Sequence, residues 1–190
     1  MASEVGICNR ALQKLGAKRI VSLTEDSRNA RECNACYTDL RDAELQAHPW
    51  VFATFLAQLA ASGTTPLFGR ARSFPLPTDY LAVRCPYPED NSLALDWVIQ
   101  NGSVYTDDSA PLDFRYTARI TDPNDMDSLF REALAARIAM ELCESITQSN
   151  TKMDQLQKSY SHWISEARRN NAIIQVPAEA GTDPWITARA

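Results

Sequence analysis

Side chains that could take part in catalysis are few in this sequence. Its 190 residues include only two histidines, His48 and His162. His48 precedes Pro49 at the predicted end of a helix, where a histidine more often contacts the helix C-terminus than acts as a base. His162 lies beside an apolar helical stripe and is expected to make a polar contact at its edge. Neither histidine predicts a reaction centre.

The cysteines are predicted to be reduced core thiols. They are odd in number, fall mainly on predicted helices, and belong to a chain that does not begin with a secretory signal. Cys33-x-x-Cys36 has the spacing of a metal or redox pair, but neither a second pair nor a histidine at ligand spacing accompanies it. We therefore expect neither a metal nor another cofactor. The five cysteines are Cys8, Cys33, Cys36, Cys85 and Cys143.

Acidic residues in the predicted loops are the remaining candidates for catalysis. A glycosidase that cleaves cell walls needs two carboxylates across a cleft. The only clustered candidates in the β-rich middle of the chain are Glu89, Asp90, Asp107 and Asp108. Acidic residues are also common in turns, which is the simpler explanation of their presence. The sequence therefore favours a protein that is not an enzyme, and carboxylate catalysis is the alternative.

Composition and charge narrow the class of protein further. With 45% hydrophobic and 23% charged residues, the chain is typical of a single folded domain. Its net charge is −5 and its isoelectric point is about 5.1, which argues against a protein that holds a nucleic-acid backbone through clustered Lys and Arg. Every apolar run is shorter than the ~18 residues needed to span a membrane, so no membrane segment is expected.

Four helices are predicted from apolar residues that recur at helical spacing. They cover residues of about 3–15, 27–47, 125–148 and 152–171. The first two and the last two are each expected to pack as a helical hairpin. The third helix has the widest apolar arc and many small residues, so we expect it to be the most buried.

A β-rich insert of about residues 62–120 separates the two hairpins. Prolines and glycines divide it into short segments, and Asn101-Gly102 is a strong signal for a two-residue hairpin. Apolar and polar residues alternate from Leu112 to Arg119, which predicts a strand with one buried face. The apolar stretch from Trp50 to Ala61 fits either a strand or a short helix. The predicted fold is therefore α+β, with a small antiparallel sheet inserted into a helical bundle.

Residues 172–190 lack a helical period and are predicted to form an extended C-terminal arm that follows a single domain of residues 1–171. Large apolar residues on such an arm often mark docking onto a partner, although the arm could equally fold back on its own subunit. The predicted interface residues of the arm are Ile173, Ile174, Val176, Pro184, Trp185 and Ile186.

Four arginines on the first hairpin are candidates for polar contacts, either across the hairpin or with a neighbouring subunit. They are Arg10, Arg28, Arg31 and Arg41. The planar guanidinium group binds a carboxylate in two places, which makes arginine common at such contacts. A solvated helix face is the simpler explanation for each arginine taken singly.

Several segments together resemble the head-to-tail adaptor of short-tailed bacteriophages, the tail tubular protein A family. Each is weak alone, but their order and spacing match along the chain up to Val176. The segments are Asn9-Arg10-Ala11-Leu12-x-x-Leu15-Gly16, Ile20 to Leu23, Ala30-Arg31 to Tyr37, His48-Pro49-Trp50-x-Phe52-Ala53, Phe74-Pro75-Leu76-Pro77-x-Asp79-Tyr80-Leu81, Leu112-x-Phe114-Arg115-Tyr116 through Thr121-Asp122-Pro123, and Phe130-x-Glu132-Ala133-Leu134-Ala135.

The resemblance implies a structural protein of the virion tail that is assembled in the host cytoplasm. Such adaptors form a homo-oligomeric ring of roughly twelve copies, whose interfaces are heterologous and close by rotation. The implied partners are the portal protein above, a tail nozzle like tail tubular protein B below, and possible contacts with tail fibres. DNA is expected to pass through the ring without specific binding.

Two other functions remain open at this point. One is a virion-associated peptidoglycan hydrolase that uses the loop carboxylates. The other is a scaffold or small oligomeric binding protein without a phage context.

Overall fold

The structure is a computed structural model that describes residues 1–64, 66, 69–86 and 97–174; for residues 84–86 only the backbone is described. The predicted α+β class is confirmed. The elements in chain order are α1 (Glu4–Leu15), α2 (Arg28–Ala47), a 3-10 turn (Val51–Ala53), β1 (Thr54–Leu59), β2 (Arg72–Pro75), β3 (Tyr80–Pro86), β4 (Trp97–Gln100), β5 (Ser103–Thr106), β6 (Leu112–Ala118), α3 (Ser128–Thr147) and α4 (Asn150–Ile174).

The first two helices begin where the sequence places their caps. The Ser3 hydroxyl accepts a hydrogen bond from the backbone N–H of Gly6, and the Ser27 hydroxyl accepts one from Ala30. α1 ends at Gly16, whose φ of 73° is the left-handed conformation that glycine adopts without a steric penalty. These boundaries are local, and the sequence therefore predicts them well.

α3 is the centre of the helical part. Nine of its residues are buried, Phe130, Leu134 and Ile138 among them, which confirms the prediction that it is the most buried helix. α4 packs along it as the predicted hairpin. α1 and α2 also pack on α3, and α1 contacts α3 far more extensively than it contacts α2. The bundle is therefore organised around α3.

The β-rich middle forms two three-stranded antiparallel sheets where one small sheet was predicted. One sheet has the order β1-β6-β3 and the other has the order β2-β5-β4. β4 and β5 form the predicted hairpin, with Asn101 and Gly102 both at positive φ between Gln100 and Ser103. The apolar stretch after Trp50 contains both of the structures considered for it, a 3-10 turn followed by β1.

The alternation along β6 is confirmed with one exception. Leu112, Phe114, Tyr116 and Ala118 are buried on one face, but Thr117 on the other face is also fully buried. β6 is the central strand of its sheet, and Thr117 lies opposite Thr54 of β1 and Ala82 of β3. Asp113 on the same face of β6 is exposed, so the burial of Thr117 comes from packing at one end of the strand, which the alternating pattern does not reveal.

The predicted start of α3 at residue 125 is three residues too early. The Asp122 carboxylate accepts a hydrogen bond from the backbone N–H of Asn124, and Asp125 and Met126 form turns with Asp122 and Pro123. Arg131 donates to the carbonyl oxygens of Pro123 and Met126. This turn uses the backbone groups that a longer helix would need, so α3 begins at Ser128.

The boundary between the domain and the arm is also corrected. α4 begins at Asn150 and continues to Ile174, so Ile173 and Ile174 belong to its last turn and not to an extended segment. Both side chains are exposed, which explains why no apolar period revealed the extra turn. The rest of the predicted arm, residues 175–190, lies outside the described residues.

Candidate assembly surfaces

An aromatic cluster joins the segment around Trp50 to α3. Trp50 is 1% exposed, and its indole Nε1 donates to the carbonyl oxygen of Glu44 at 2.9 Å. The ring centroids of Trp50 and Phe130 are 5.0 Å apart, and those of Phe52 and Phe130 are 5.1 Å apart. Two segments that are far apart in the sequence thus form one core.

Asn171 of α4 holds the turn that leads from α2 into β1. Its Oδ1 accepts a hydrogen bond from the backbone N–H of Val51 at 2.7 Å. Its Nδ2 donates to the carbonyl oxygen of Pro49 at 3.0 Å and lies 3.2 Å from Nε2 of His48. Asn171 is 1% exposed. Sequence reasoning gave Asn171 no role, because an asparagine at a predicted helix end is typical of a helix stop.

Glu44 connects three helices from a buried position on α2. Tyr160 of α4 donates its hydroxyl to Oε1 of Glu44 at 2.8 Å, and Nε of Arg137 on α3 lies 3.8 Å from the same oxygen. Burial, followed by the contact with Glu44, raises the pKa of Tyr160 to about 12. This contact was not predicted, since a glutamate on a helix usually faces solvent. It ties the two halves of the bundle together.

Two polar residues of α1, Asn9 and Arg10, also make structural contacts. Asn9 accepts a hydrogen bond from the backbone N–H of Ile20 and donates one to its carbonyl oxygen, both at 2.8 Å. Arg10 forms an ion pair with Glu132 of α3 at 3.0 Å. The amide of Asn9 therefore fixes the chain after α1, and Arg10 links α1 to α3.

The other three predicted interface arginines have partners within the chain as well. Arg28 donates to the carbonyl oxygen of Ser145 near the end of α3, and Arg31 pairs with Asp26. Arg41 is buried, pairs with Asp42 and lies over the ring of Tyr37. Arg10 and Arg28 contact α3, and Arg31 and Arg41 pair with acidic residues close to them in the sequence, so none of these contacts crosses from α1 to α2 as predicted. A role of the four arginines between subunits stays a prediction.

A hydrogen bond connects Asp79, the residue before β3, to β6, the last strand of the β-rich middle. Tyr116 of β6 donates its hydroxyl to the Asp79 carboxylate at 3.1 Å. Burial, reinforced by the negative charge of Asp79, raises the pKa of Tyr116 to about 12. Asp79 also accepts, through its backbone carbonyl, a hydrogen bond from the N–H of Arg119. The proline-rich segment before β3 is fixed against β6 by these bonds.

The described loop carboxylates are engaged in turn structure. Asp107 accepts hydrogen bonds from the backbone N–H of Ala71 and from Arg70, and these two contacts hold its pKa below the usual range. Asp108 accepts one from the Thr106 hydroxyl at 2.9 Å. A general acid needs a raised pKa, which Asp107 does not have. Glu89 and Asp90 lie outside the described residues.

Cys8, Cys33 and Cys143 are buried and Cys36 is partly buried, as predicted for core thiols, while the side chain of Cys85 lies outside the described residues. Cys8 and Cys33 are fully buried in contact with each other, and this contact, together with burial, raises the pKa of the Cys8 thiol. Burial raises the pKa of Cys36 to about 12. The contact with Cys8 lowers the pKa of Cys33, while the raised pKa values keep Cys8 and Cys36 protonated, and protonated thiols are poor nucleophiles and poor metal ligands. Within the ranges that the structure describes, no group of three or more His, Cys, Asp or Glu residues could hold a metal ion.

Exposed apolar side chains are concentrated on β1 and at the end of α4. Phe55 and Leu56 of β1 are 45% and 69% exposed, and Ile173 and Ile174 of α4 are 71% and 53% exposed. These four residues are the exposed apolar residues of β1 and α4. The predicted interface residues Val176, Pro184, Trp185 and Ile186 lie outside the described residues. Sequence reasoning missed the exposure of Phe55 and Leu56, because an apolar run predicts burial.

Comparisons with known proteins add no relative to this picture: no protein-family model matches the chain, and no curated protein matches it significantly. Among the helices of the described residues, none combines the length and the apolar character that crossing a membrane requires.

Proposed function

We propose that this protein is a structural head-to-tail adaptor of a phage virion, which forms a ring between the portal protein and the tail nozzle. The observation that carries the proposal is that the segments which resemble the adaptor family contact one another. Trp50 and Phe52 pack on Phe130, Arg10 pairs with Glu132, and Tyr116 binds Asp79. The resemblance was drawn from separate stretches, and their mutual contacts support reading them as parts of one fold.

The kind of contact matters to this proposal. Several polar residues of these segments fix turns, helices and strands to one another, as the two hydrogen bonds between Asn9 and Ile20 illustrate. Residues that carry out a reaction would instead converge on an accessible cleft. A pattern that maintains a fold is what a subunit of a larger structure requires.

The surface chemistry also supports assembly. Isolated exposed apolar residues are ordinary, but Phe55, Leu56, Ile173 and Ile174 lie on two elements that Asn171 joins through Val51. Their burial against a neighbour would stabilise an interface by about 25 cal/mol for each Å² of apolar area removed from water. A ring subunit needs two different complementary sides, and the end of α4, with the exposed side chains of Ile173 and Ile174, is our candidate for part of one of them.

The net charge is consistent with a conduit for DNA. A chain of net charge −5 has no excess of Lys and Arg that would neutralise phosphates and release the counterions of the DNA, so DNA would pass without being held. The partners in this proposal are the portal protein, a nozzle protein and possible tail fibres, with assembly in the host cytoplasm and a final place in the virion tail.

The decisive experiment combines the purified chain with the portal protein of the phage that encodes it and images the mixture by electron microscopy. Rings attached beneath the portal are expected.

Replacing both Ile173 and Ile174 by aspartate should abolish attachment, whereas Val21→Asp should not, because Val21 is 90% exposed but lies in the loop before α2. Deleting residues from Pro177 onward should abolish attachment without unfolding the chain. Normal attachment by both altered proteins would refute the proposed assembly surfaces, and the absence of rings with any portal would refute the adaptor itself.

The hydrolase alternative has its own assay. Purified protein is incubated with peptidoglycan beside Asp108→Asn and Glu89→Gln variants. We expect no clearing by any of the three proteins. Clearing that is lost in either variant would establish the enzyme instead.

A further inference from the structure

β1 is an edge strand with an open side. In the sheet of order β1-β6-β3 it pairs with β6, and no other strand of the described residues pairs with it. Natural edge strands are usually protected from further pairing by Lys, Pro or a bulge. β1 has the sequence Thr-Phe-Leu-Ala-Gln-Leu and pairs with β6 without a register shift, so it has none of these protections.

The side chains of β1 are apolar on both faces of this edge. Phe55 lies opposite Tyr116 and Leu56 lies opposite Arg115, so the two residues point to opposite faces of the sheet. They are 45% and 69% exposed. An open backbone edge with exposed apolar residues on each face is the usual acceptor for an added strand, in which main-chain hydrogen bonds and apolar side chains both contribute.

The end of the described chain lies close to the start of this edge. Asn171 binds the N–H of Val51 at 2.7 Å, three residues before β1 begins, and α4 ends three residues after Asn171. Residues 175–190 follow. Fully extended, they could reach roughly 50 Å, while the six residues of β1 span only about 20 Å. Length therefore does not limit access of this segment to β1.

We propose that residues 175–190 of the same chain add to the free edge of β1 in the isolated protein and cover Phe55 and Leu56. The segment contains Val176, Trp185 and Ile186, which supply the apolar side chains. Because it is tethered beside the edge, its effective concentration is about millimolar, far above that of a second copy in dilute solution. Any partner that binds this segment must first displace it from β1.

The inference concerns the isolated chain and does not depend on the proposed function. It is tested by replacing Leu56 with the photoreactive residue p-benzoylphenylalanine, irradiating the full chain at low micromolar concentration, and mapping the adducts by mass spectrometry. The matched control carries the same residue at Val98, which is 41% exposed on β4, the edge strand of the other sheet.

We expect adducts between position 56 and residues 175–190 in the monomer band, and at least tenfold fewer from position 98. Replacing Trp185 and Ile186 by serine in the first protein should reduce those adducts several-fold. Adducts found only in a dimer band would overturn the proposal in favour of a second copy, and the absence of adducts with this segment would overturn it outright. A second readout is hydrogen exchange of the β1 amides, which should accelerate at least tenfold on deletion from Pro177; unchanged exchange contradicts the proposal.

Discussion

Oδ1 of Asn171 lies 2.7 Å from the backbone nitrogen of Val51, which makes a side chain near the end of the last helix the support for the turn between α2 and β1. The residues are 120 positions apart in the sequence. The same amide also binds Pro49, so one side chain satisfies both a donor and an acceptor of the turn. The helical and β parts of the molecule are coupled at this point.

Replacing Asn171 by alanine should therefore lower the free energy of unfolding by about 1–3 kcal/mol, because it removes the hydrogen bonds that a buried side chain makes to the part-buried N–H of Val51 and the carbonyl oxygen of Pro49. The measurement is urea unfolding followed by circular dichroism. Asn170→Ala is the matched control, since Asn170 is half-buried on the same turn of α4. An equal loss in both variants would mean that the contact with Val51 does not contribute to the free energy of unfolding.

Phe130 is the second point where distant segments meet. It is fully buried against Trp50 and Phe52, so Phe130→Ala should cost about 3–5 kcal/mol of stability through lost apolar burial and the cavity left behind. Thermal unfolding measures the loss, and Phe130→Leu gives a smaller loss that remains measurable if the alanine variant does not fold. Phe52 is only partly buried, so Phe52→Ala should cost less than Phe130→Ala. The reverse order would contradict the central role of Phe130.

The loop around Asp107 should have a pH dependence on the acid side. Hydrogen bonds from Ala71 and Arg70 hold the pKa of Asp107 below the ordinary value of 3.8 for an aspartate. The folded state therefore binds this proton more weakly than the unfolded state. The contribution of the ionised Asp107 carboxylate to stability is complete above pH 3.8 and is lost as the pH falls through its lowered pKa in the folded state. NMR titration of the Asp107 carboxyl should give a midpoint below 3.8, and a raised midpoint would reopen the possibility of a general acid.

Asp107→Asn supplies the matching stability measurement. The variant should be less stable than the original protein near neutral pH, and the difference should narrow as the pH falls below about 4. Asp113→Asn is the control, since Asp113 is exposed on β6 and accepts a single side-chain hydrogen bond, from Gln58. A difference that does not change with pH would show that the charge of Asp107 is not what holds the loop.

The pair of Tyr116 and Asp79 predicts a change at alkaline pH. Burial first, and then the charge of Asp79, raise the pKa of Tyr116 to about 12. Asp79→Asn removes the charge, so Tyr116 should ionise at lower pH in the variant, as followed by ultraviolet absorbance of tyrosinate. Tyr160 is the internal reference, because its pKa of about 12 depends on burial and Glu44 and should not move. An unchanged titration curve would assign the shift of Tyr116 to burial alone.

Much of the architecture was predictable because it depends on local chemistry. Ser3, Ser27 and Gly16 mark helix ends through hydrogen bonds and backbone conformations that involve only near neighbours. Asn101-Gly102 specifies its hairpin in the same way, since both residues accept positive φ. The wide apolar arc of α3 indicated its central position, because a helix that is apolar on most of its surface must be surrounded.

The rest depended on partners that are distant in the sequence. The division into two sheets follows from β1 pairing with β6 and β2 pairing with β5, and no property of the short segments specifies those choices. The burial of Thr117 and Glu44, the extension of α4 to Ile174, and the exposure of Leu56 have the same origin. Side-chain type and spacing thus determined the elements and the thin inventory of reactive groups. Only the tertiary structure decided which segments meet, since contacts such as that between Asn171 and Val51 join residues that no local pattern connects.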